Sequence, residues 1–322
     1  MSRFVQQIDL LDPDDVEKCG GKATSLGILT RLGVRVPPGF CIFDDAFLHL
    51  LEANSLNNQI AAIIPKLDFD DYENIDKNTG QIRSLIKESI IPGDLEKDIG
   101  DRYADLVDDV NRFVAVRSSV SVRNSDVFSF PGMMDTYHYV LGIEDVLLKV
   151  RECWASLWTT RAAFARHQQN VEQNSGVIAP VVQLMVKSEI AGVLFTANPI
   201  NKHTGDIVIE SNWGLGESVV SGKSMNDFYI LDKDSLDIKQ EQISPKTVMV
   251  TMDEAKGSDR IEIPVPEELA SVPTLSENHL KALGEAGKRI EDHFGFNVDV
   301  EWAFQEDTLY ILQARKIRGL EE

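Results

Sequence analysis

Cysteine is scarce in this sequence: three occur in 322 residues, at Cys19, Cys41 and Cys153. The count is odd, the spacings are wide, and there is no Cys-x-x-Cys pair or cysteine–histidine ligand cluster. Such a pattern supports neither a disulfide framework nor a zinc site. We therefore expect reduced thiols.

Long hydrophobic runs are also missing. No stretch reaches the roughly 18 consecutive apolar residues that a membrane-spanning helix needs. Residues 1–7 lack the long apolar segment of a secretory signal peptide. The sequence predicts a soluble, cytoplasmic protein with no membrane partner.

Basic residues are in the minority, with 32 Lys and Arg against 52 Asp and Glu and a formal net charge of −20. This balance argues against binding to nucleic-acid backbone, because such binding needs clustered cations. It also argues against docking on anionic membranes. A specific phosphate ligand is still compatible with it, since salt screens distant charges and a few placed cations act locally.

Several common catalytic signatures are absent. The sequence has no Gly-x-Ser-x-Gly, His-Glu-x-x-His, Walker A or Gly-x-Gly-x-x-Gly pattern, and its six histidines show no ligand-like spacing. None of the chemistries that those motifs carry is indicated.

What the sequence does contain is a helix-rich first part and a strand-rich second part. Apolar periodicity predicts a helix that opens at Lys22 and a long helix over residues 143–169. From residue 178 onward strands dominate, although residues 232–275 are polar and predict a surface excursion. We expect an α+β fold in which two lobes face a cleft. The expected boundary gives residues 1–180 and 181–322.

The first candidate phosphate site is Gly20-Gly21-Lys22, just before the predicted helix. Glycines let backbone N–H groups approach an anion, the helix N-terminus adds partial positive charge, and Lys22 adds a full charge. A Gly-Gly turn before a helix is also a common structural device, so the pattern alone leaves both interpretations open.

The second candidate is Arg117, which follows an apolar segment over residues 113–116 and precedes two serines. The pattern predicts a strand that ends on a cation and two hydroxyls, and strand ends are favoured ligand sites. Arginine can hold phosphate oxygens through two N–H groups. An edge arginine in a salt bridge explains the pattern equally well.

A third candidate is the loop over residues 129–136, which combines a Pro-Gly turn, two methionines and hydroxyl groups. A mobile loop that closes over a ligand would explain this mixture. A tightly packed turn would explain it as well.

The fourth candidate is a C-terminal hairpin, strands 299–305 and 308–317, whose apolar sequence is interrupted by four polar residues, Asp299, Glu301, Gln313 and Arg315. Burying so many polar groups costs free energy unless something pairs them. Carboxylate and amide oxygens are hard ligands suited to Mg²⁺. Arg315 would then hold the phosphates that the metal bridges. A surface ladder of ion pairs across the hairpin is the competing interpretation.

The register of this hairpin decides whether the four residues share a face. A three-residue turn would put Asp299 opposite Gln313 and Glu301 opposite Ile311, all on one face. A two-residue turn, Glu306-Asp307, would put the acids and Gln313 on opposite faces. The metal hypothesis therefore predicts an odd-length turn.

Two further segments fit a nucleotide. The apolar strand over residues 181–186 carries one amide, Gln183, and suits an adenine slot. The glycine-rich turn over residues 213–217 ends in Glu217, near the ribose or phosphates in this interpretation. Taken singly, core packing and simple turn formation are the favoured explanations.

Taken together, these segments resemble the N-terminal nucleotide domain of the phosphoenolpyruvate synthase and pyruvate phosphate dikinase family. They occur in family order and cover nearly the whole chain. The matching segments are Gly20–Ala23, Val36–Phe40, Val116–Ser119, Ser129–Thr136, Cys153–Trp158, Ala191–Thr196, Asn212–Glu217, Asp299–Ala303 and Gln313–Arg315.

The resemblance implies an ATP-grasp fold with ATP between two lobes. It implies that Lys22 and Arg117 hold phosphates, that Gly132 and Thr136 lie in a phosphate-covering loop, and that Gln183 lies at the adenine hinge. It further implies that Glu301 and Gln313 coordinate Mg²⁺ with Asp299 close by. Arg315 would contact the transferring phosphoryl groups, which makes Lys22, Arg117 and Arg315 the catalytic candidates.

The family transfers the β,γ-pyrophosphoryl unit of ATP to a histidine on a separate swivelling domain and releases AMP and then phosphate. This sequence has no Gly-rich Thr-Ser-His segment and no acceptor-binding barrel. Where many relatives carry a Glu-Asp pair after the arginine, it reads Ser121–Asp126. We expect a dissected domain or a subunit that works with a separate phosphohistidine-domain protein and an acceptor-binding domain.

The final acceptor, such as pyruvate or phenol, depends on those missing parts. Among relatives, phenylphosphate synthase uses phenol, and rifampicin phosphotransferase joins the nucleotide domain to a different acceptor domain. Two other functions stay open: a self-contained ATP-grasp kinase or ligase that forms ADP, and a non-catalytic nucleotide-sensing module.

Overall fold

A computed structural model describes residues 2–122, 136–222 and 224–320. The chain mixes helices and antiparallel sheets, an α+β architecture. It divides into two compact units: Met1–Gly27 with Pro38–Met185, and Ile28–Pro37 with Val186–Glu322.

This division differs from the expected boundary after residue 180 in two respects. The strand Gly176–Leu184 lies whole in the first unit, so the division falls after Met185. Residues 28–37 belong to the second unit although they precede most of the first. Leu29, for example, is buried in the second unit's apolar core.

The first unit is built on a five-stranded antiparallel sheet of order β1-β2-β5-β3-β4. Its strands are β1 Val5–Gln7, β2 Gly39–Ile42, β3 Phe113–Val122, β4 Thr136–Leu141 and β5 Gly176–Leu184. Its helices are α1 Val16–Leu32, which continues into the second unit, α2 Asp44–Ala53, α3 Asn57–Ile63, α4 Tyr72–Lys87, α5 Gly93–Leu106, α6 Ile143–Ser156 and α7 Thr160–Gln168.

Helices cover one face of this sheet. Leu50, Ile82 and Trp154 project from α2, α4 and α6 into a core that includes Val116 of β3. The Trp154 indole N–H donates to the Ile178 carbonyl at 3.1 Å, which satisfies the polar atom of this fully buried side chain. Alternate residues of β3 and β5 therefore face away from α2, α4 and α6.

The long helix predicted over residues 143–169 is wrong in one respect, because the chain forms two helices there. Residues 157–159 separate α6 from α7. Thr159 is the N-cap of α7, and its side chain accepts a hydrogen bond from the Ala162 N–H. A threonine that caps a new helix competes with continuation of the old one.

The second unit is built on a six-stranded antiparallel sheet of order β13-β12-β6-β7-β8-β9 and a two-stranded ribbon, β10-β11. The strands are β6 Ile190–Phe195, β7 Asp206–Trp213, β8 Asp227–Asp232, β9 Ile238–Gln242, β10 Val248–Met252, β11 Arg260–Pro264, β12 Val298–Gln305 and β13 Thr308–Lys316. The helices are α8 Glu217–Val220, α9 Glu267–Ala270 and α10 Glu277–Phe294.

Helix α10 shares a core with one face of the six-stranded sheet. A capping box between Ser276 and His279 opens it, and Gly295 ends it at a φ of 71°. Leu283 and Ile290 are buried in the same core as Trp302 of β12. The period-two pattern of β12 therefore gives one apolar face toward this core.

The polar stretch over residues 232–275 is not only a surface excursion, because a buried ion pair anchors it. Lys246 Nζ lies 2.6 Å from Asp227 Oδ1, and both side chains are fully buried. Asp227 also accepts hydrogen bonds from the Ser244 N–H and from the Thr274 N–H and hydroxyl. Such a pair is tolerated in a core because its remaining hydrogen-bonding capacity is used.

Within the described parts of the chain, no helix is long and apolar enough to cross a membrane. The three cysteines are buried free thiols.

Candidate functional site

The Gly20-Gly21-Lys22 segment lies at a sharp bend inside α1. Gly20 has φ 74° and ψ 165°, so the helix is interrupted there and starts again at Gly21. A Cβ atom on Gly20 would lie 2.5 Å from the Val120 carbonyl oxygen. Both the backbone angles and the lack of space require glycine. Lys22 consequently lies in the first turn of a helix, as the sequence predicts.

Strand β3 supports this bend. The Ser119 hydroxyl, fully buried, accepts a hydrogen bond from the Ala23 N–H at 3.1 Å. The Thr24 hydroxyl donates to the Gly20 carbonyl at 3.0 Å. The structure thus brings together two candidate phosphate-binding segments that lie far apart in the sequence.

Arg117 lies inside a strand and not at its end. Strand β3 continues to Val122, so the prediction of a strand that ends after Arg117 and the two serines is wrong. The extension is stabilised by β5, which pairs with β3 as far as Val122. The reason given for a ligand site at a strand end therefore fails, and the case for Arg117 depends on its neighbours.

Those neighbours are two other predicted site residues. Thr136, the first residue of β4, is directly opposite Arg117 in the ladder. Arg117 Nη1 donates to Gln183 Oε1 at 3.2 Å, and both side chains are buried. Period two places Arg117 and Ser119 on the sheet face that points away from the helix-covered core. Arg117, Thr136 and Gln183 thus form one polar cluster in the first unit.

Gly132 and most of the predicted covering loop lie outside the described residues. Thr136 is the part of that loop for which the structure gives a position.

The hairpin register contradicts the predicted turn length but still puts the four polar residues on one face. Gln305 pairs with Thr308, so the turn has two residues, Glu306 and Asp307, and the expected odd-length turn is wrong. A β-bulge between Glu301 and Trp302 shifts the register by one residue.

Beyond the bulge, Glu301 pairs with Gln313 and Asp299 with Arg315. The predicted partners, Gln313 for Asp299 and Ile311 for Glu301, are therefore wrong. Directly paired residues nonetheless share a face of a sheet. The two acids, the amide and the arginine thus lie on one face, because the extra residue is in strand β13 at Leu312 and not in the turn.

Asp299 and Arg315 make the closest contact of this group. Arg315 Nε and Nη2 lie 2.7 Å and 2.6 Å from the same oxygen, Asp299 Oδ2. Asp299 is 8% exposed, and burial raises its pKa above the usual value although the Arg315 guanidinium opposes the shift. Asp299 Oδ1 is buried and has no hydrogen-bond partner among the described residues. A buried, unpartnered carboxylate oxygen is costly unless a ligand takes it up.

This donor set fits a hard divalent cation. The face presents two carboxylates and one amide oxygen, the ligand types that Mg²⁺ prefers. Gln313 is buried and Glu301 is half-buried, and the two residues are paired directly across β12 and β13. In the portion of the chain that the structure describes, there is no group of three or more His, Cys, Asp and Glu side chains placed to hold a metal. The metal hypothesis therefore depends on the mixed carboxylate–amide set.

Glu217 is the first residue of α8 and forms an ion pair with Arg260 of β11. Gly214, two residues before Gly216 in the same turn, has φ 76° and lies against the Val250 backbone. The glycine-rich turn thus contacts the β10-β11 ribbon through Gly214 and Glu217.

Sequence reasoning missed the role of Ser119. The Arg-Ser-Ser pattern marks this serine, but the partner of its hydroxyl lies 96 residues away. The only sequence signal for this role is that Gly20, at the start of a helix, has no side chain to cap it, so the acceptor must come from elsewhere in the chain.

The chain belongs to the family described as pyruvate phosphate dikinase, AMP/ATP-binding domain, whose model matches residues 16–322. The resemblance stated from the motifs is thereby confirmed.

Three curated relatives illustrate the range of this family. The chain is 36% identical to phosphoenolpyruvate synthase of Pyrococcus furiosus, covering 99% of this chain and 44% of that protein. It is 39% identical to a probable phosphoenolpyruvate synthase of Methanocaldococcus jannaschii, covering 99% and 27%. It is 32% identical to rifampicin phosphotransferase of Bacillus cereus, covering 99% and 36%. The chain thus spans less than half the length of each of these relatives.

Proposed function

We propose that this chain is the ATP-binding part of a dikinase-type phosphotransferase with an ATP-grasp fold. The observation that carries the proposal is the bulged hairpin register, which puts Asp299, Glu301, Gln313 and Arg315 on one face. A purely structural hairpin does not require two acids, an amide and an arginine on a single face next to a carboxylate oxygen in need of a partner. Membership of an AMP/ATP-binding family supports the same assignment.

In this proposal the first unit contributes the groups that hold the nucleotide. Lys22, in the first turn of a helix, and Arg117 would bind phosphate oxygens, since both offer N–H donors with positive charge. Gln183 would lie at the adenine hinge. Gly132 and Thr136 would belong to the loop that covers the phosphates, and Thr136 is opposite Arg117.

The second unit would contribute the metal ligands. Glu301 and Gln313 would coordinate Mg²⁺, with Asp299 close by, and Asp299 Oδ1 has a lone pair available for such a role. The metal would neutralise charge on the phosphates during transfer. Arg315, oriented by Asp299, would contact the transferring phosphoryl groups. Glu217 would have to exchange Arg260 for the nucleotide, so its assignment requires that ion pair to open.

The reaction we propose is transfer of the β,γ-pyrophosphoryl unit of ATP to a histidine on a partner domain, with release of AMP. Water then cleaves the pyrophosphoryl-histidine, which gives phosphohistidine and free phosphate. Lys22, Arg117 and Arg315 would act by positioning the triphosphate and neutralising its charge, which is the main requirement of phosphoryl transfer. The final acceptor would be chosen by an acceptor-binding domain or subunit. The names of two relatives, phosphoenolpyruvate synthase and rifampicin phosphotransferase, refer to different compounds.

Product analysis tests this reaction. The chain is mixed with a histidine-domain partner from a relative and with ATP labelled at the β position. We expect label on the histidine, AMP as the nucleotide product, and loss of both with Glu301→Gln. ADP as the sole product would indicate a self-contained kinase or ligase. Binding without any turnover, unaffected by Glu301→Gln, would indicate a nucleotide sensor.

A crystal structure with a non-hydrolysable ATP analogue and Mg²⁺ tests the site itself. Both Lys22 and Glu301 should contact the triphosphate or its metal. A nucleotide bound elsewhere, or contacts from only one of the two residues, would contradict the proposal.

A further inference from the structure

The helix that carries Lys22 begins at a residue with no side chain to cap it. Gly20 occupies the N-cap position, and glycine offers no oxygen to the free N–H groups of the first turn. Serine, threonine, aspartate and asparagine, which commonly cap helices, cannot replace it. A Cβ at Gly20 would lie 2.5 Å from the Val120 carbonyl oxygen and 2.6 Å from Ser119 Oγ.

Ser119 supplies the missing acceptor from another strand. Counting from Gly20, Ala23 is the third helical residue, whose N–H is the one that an N-cap side chain normally accepts. That N–H donates to Ser119 Oγ at 3.1 Å in a fully buried contact. Ser119 is therefore an N-cap that acts across 96 residues. It fixes the start of the helix against β3. The close approach of the Val120 carbonyl to Gly20 leaves no room for a Cβ, so position 20 must be glycine.

The contact also links two of the proposed phosphate-binding residues. Arg117 and Ser119 are two positions apart on β3 and so share a face. Lys22 directly precedes Ala23, the residue whose N–H Ser119 accepts. A single hydroxyl thus fixes the backbone that carries Lys22 relative to the strand that carries Arg117.

We infer that Ser119 is a positioning residue for nucleotide binding, which acts through Lys22 and does not itself touch the ligand. The inference rests on the proposed function, in which Lys22 binds the phosphates of ATP. Removal of the hydroxyl would leave the Ala23 N–H buried without a partner, and the first turn would shift or fray. Because the shifted turn would move Lys22, ATP binding would weaken in the parent chain. In a chain that lacks Lys22, the same shift would have little effect on ATP binding.

A double-mutant cycle on the full chain tests this, with Mg²⁺-ATP affinity measured by calorimetry for Ser119→Ala, Lys22→Met and the double variant. We expect Ser119→Ala to weaken binding about tenfold in the parent chain and less than about twofold in the Lys22→Met background. Ser118→Ala is the matched control, because Ser118 is a buried serine on the opposite, core-facing side of β3. It should leave ATP affinity within about twofold of the parent value.

The outcomes separate the inference from the proposed function. Equal losses from Ser119→Ala in both backgrounds would show a purely structural serine and overturn the inference alone. No loss from Lys22→Met would overturn the proposed role of Lys22 and this inference with it.

If circular dichroism shows that Ser119→Ala does not fold, Ser119→Cys replaces it, since sulfur is a weaker acceptor of similar size. The same Lys22-dependent loss is then expected, and its absence would contradict the inference.

Discussion

Arg315 places two of its guanidinium nitrogens on a single oxygen of Asp299, at 2.7 Å and 2.6 Å from Oδ2. The other oxygen, Oδ1, is buried, and no described residue forms a hydrogen bond with it. This arrangement fixes the carboxylate by one oxygen and keeps the second available. Burial raises the pKa of Asp299, and the Arg315 guanidinium opposes part of that rise.

Arg315→Lys should therefore impair the proposed metal site although it keeps the charge. A lysine has one nitrogen and cannot make the two contacts, so the carboxylate would lose its fixed orientation. We expect Mg²⁺-dependent ATP binding to weaken about 10- to 100-fold, measured by calorimetry at several Mg²⁺ concentrations. Arg318→Lys, at an exposed arginine three residues further on, is the control. Equal behaviour of the two variants would contradict the assigned role.

Gly20→Ala should destabilise the first unit more than the same change at a glycine of similar backbone conformation. Gly142 has φ 87° and ψ 152°, close to Gly20, but an added Cβ there would meet no described atom within 4 Å. Gly142→Ala should cost only the conformational strain, about 1–3 kcal/mol. Gly20→Ala should cost clearly more because it also collides with the Val120 carbonyl. Urea unfolding of both variants measures the difference, and equal costs would show that the close approach is unimportant.

Gln183→Glu should weaken ATP binding by drawing Arg117 into a buried ion pair. The amide oxygen at this position already accepts from Arg117 Nη1 at 3.2 Å. A carboxylate would hold the guanidinium more firmly and compete with phosphate oxygens for it. We expect a loss of about tenfold or more in affinity. Gln183→Met, which removes the acceptor and adds no charge, should lose less; the reverse order would argue against phosphate binding by Arg117.

Lys246→Met should destabilise the second unit strongly. It would leave the buried Asp227 carboxylate without its cation, and breaking a buried pair in this way costs about 3–5 kcal/mol. Lys239→Met is the control, because Lys239 contacts Asp206 and Asp232 at a partly exposed position. Thermal unfolding should show a much smaller effect for Lys239→Met. A small effect of both variants would mean that Lys246 does not anchor residues 244–275.

Asp232→Asn should flatten the acid dependence of stability. The Asp232 carboxylate accepts from Lys239 and from two backbone N–H groups, which lowers its pKa in the folded state. A carboxyl with a depressed pKa stabilises the fold above its unfolded pKa, near 3.9, and loses that contribution as pH falls. The variant should be less stable at pH 7, and the difference in stability between variant and parent should begin to shrink as pH falls below about 4. Parallel curves from unfolding at pH 7 to pH 3 would contradict this.

In the hairpin, the sequence predicts the face of each side chain within a strand but not the pairing between the two strands. Side-chain alternation is a local property of an extended strand, and in β12 it puts Asp299 and Glu301 on the face opposite the apolar residues. The predicted pairing across the hairpin is wrong, because the prediction assumes a three-residue turn and a ladder without a bulge. The extra residue is instead Leu312 in the β13 bulge, which puts the acids, Gln313 and Arg315 on one face. Nothing local in the sequence marks this bulge.

Arg117 gives a similar lesson. Its residue type and its apolar flank are sufficient to select it as a candidate. The predicted end of the strand is wrong because the prediction takes the two serines after Arg117, which interrupt the apolar run, as the end of the strand. They are nonetheless extended because β5 supplies hydrogen-bonding partners as far as Val122. Tertiary pairing overrides weak local preference in such cases.

The sequence by itself determined the α+β class, the helix that carries Lys22, the two strands of the C-terminal hairpin, and the set of charged and amide residues that match a nucleotide-binding family. These properties follow from side-chain periodicity, glycine conformation and residue chemistry, all of which act over a few residues. Only the tertiary structure decided which of these residues meet. The cap of Ala23 by Ser119, the contact of Arg117 with Gln183, and the shared face of Asp299 and Arg315 depend on strand register and packing between distant segments. Such contacts are fixed by the whole core, and short sequence patterns do not encode them.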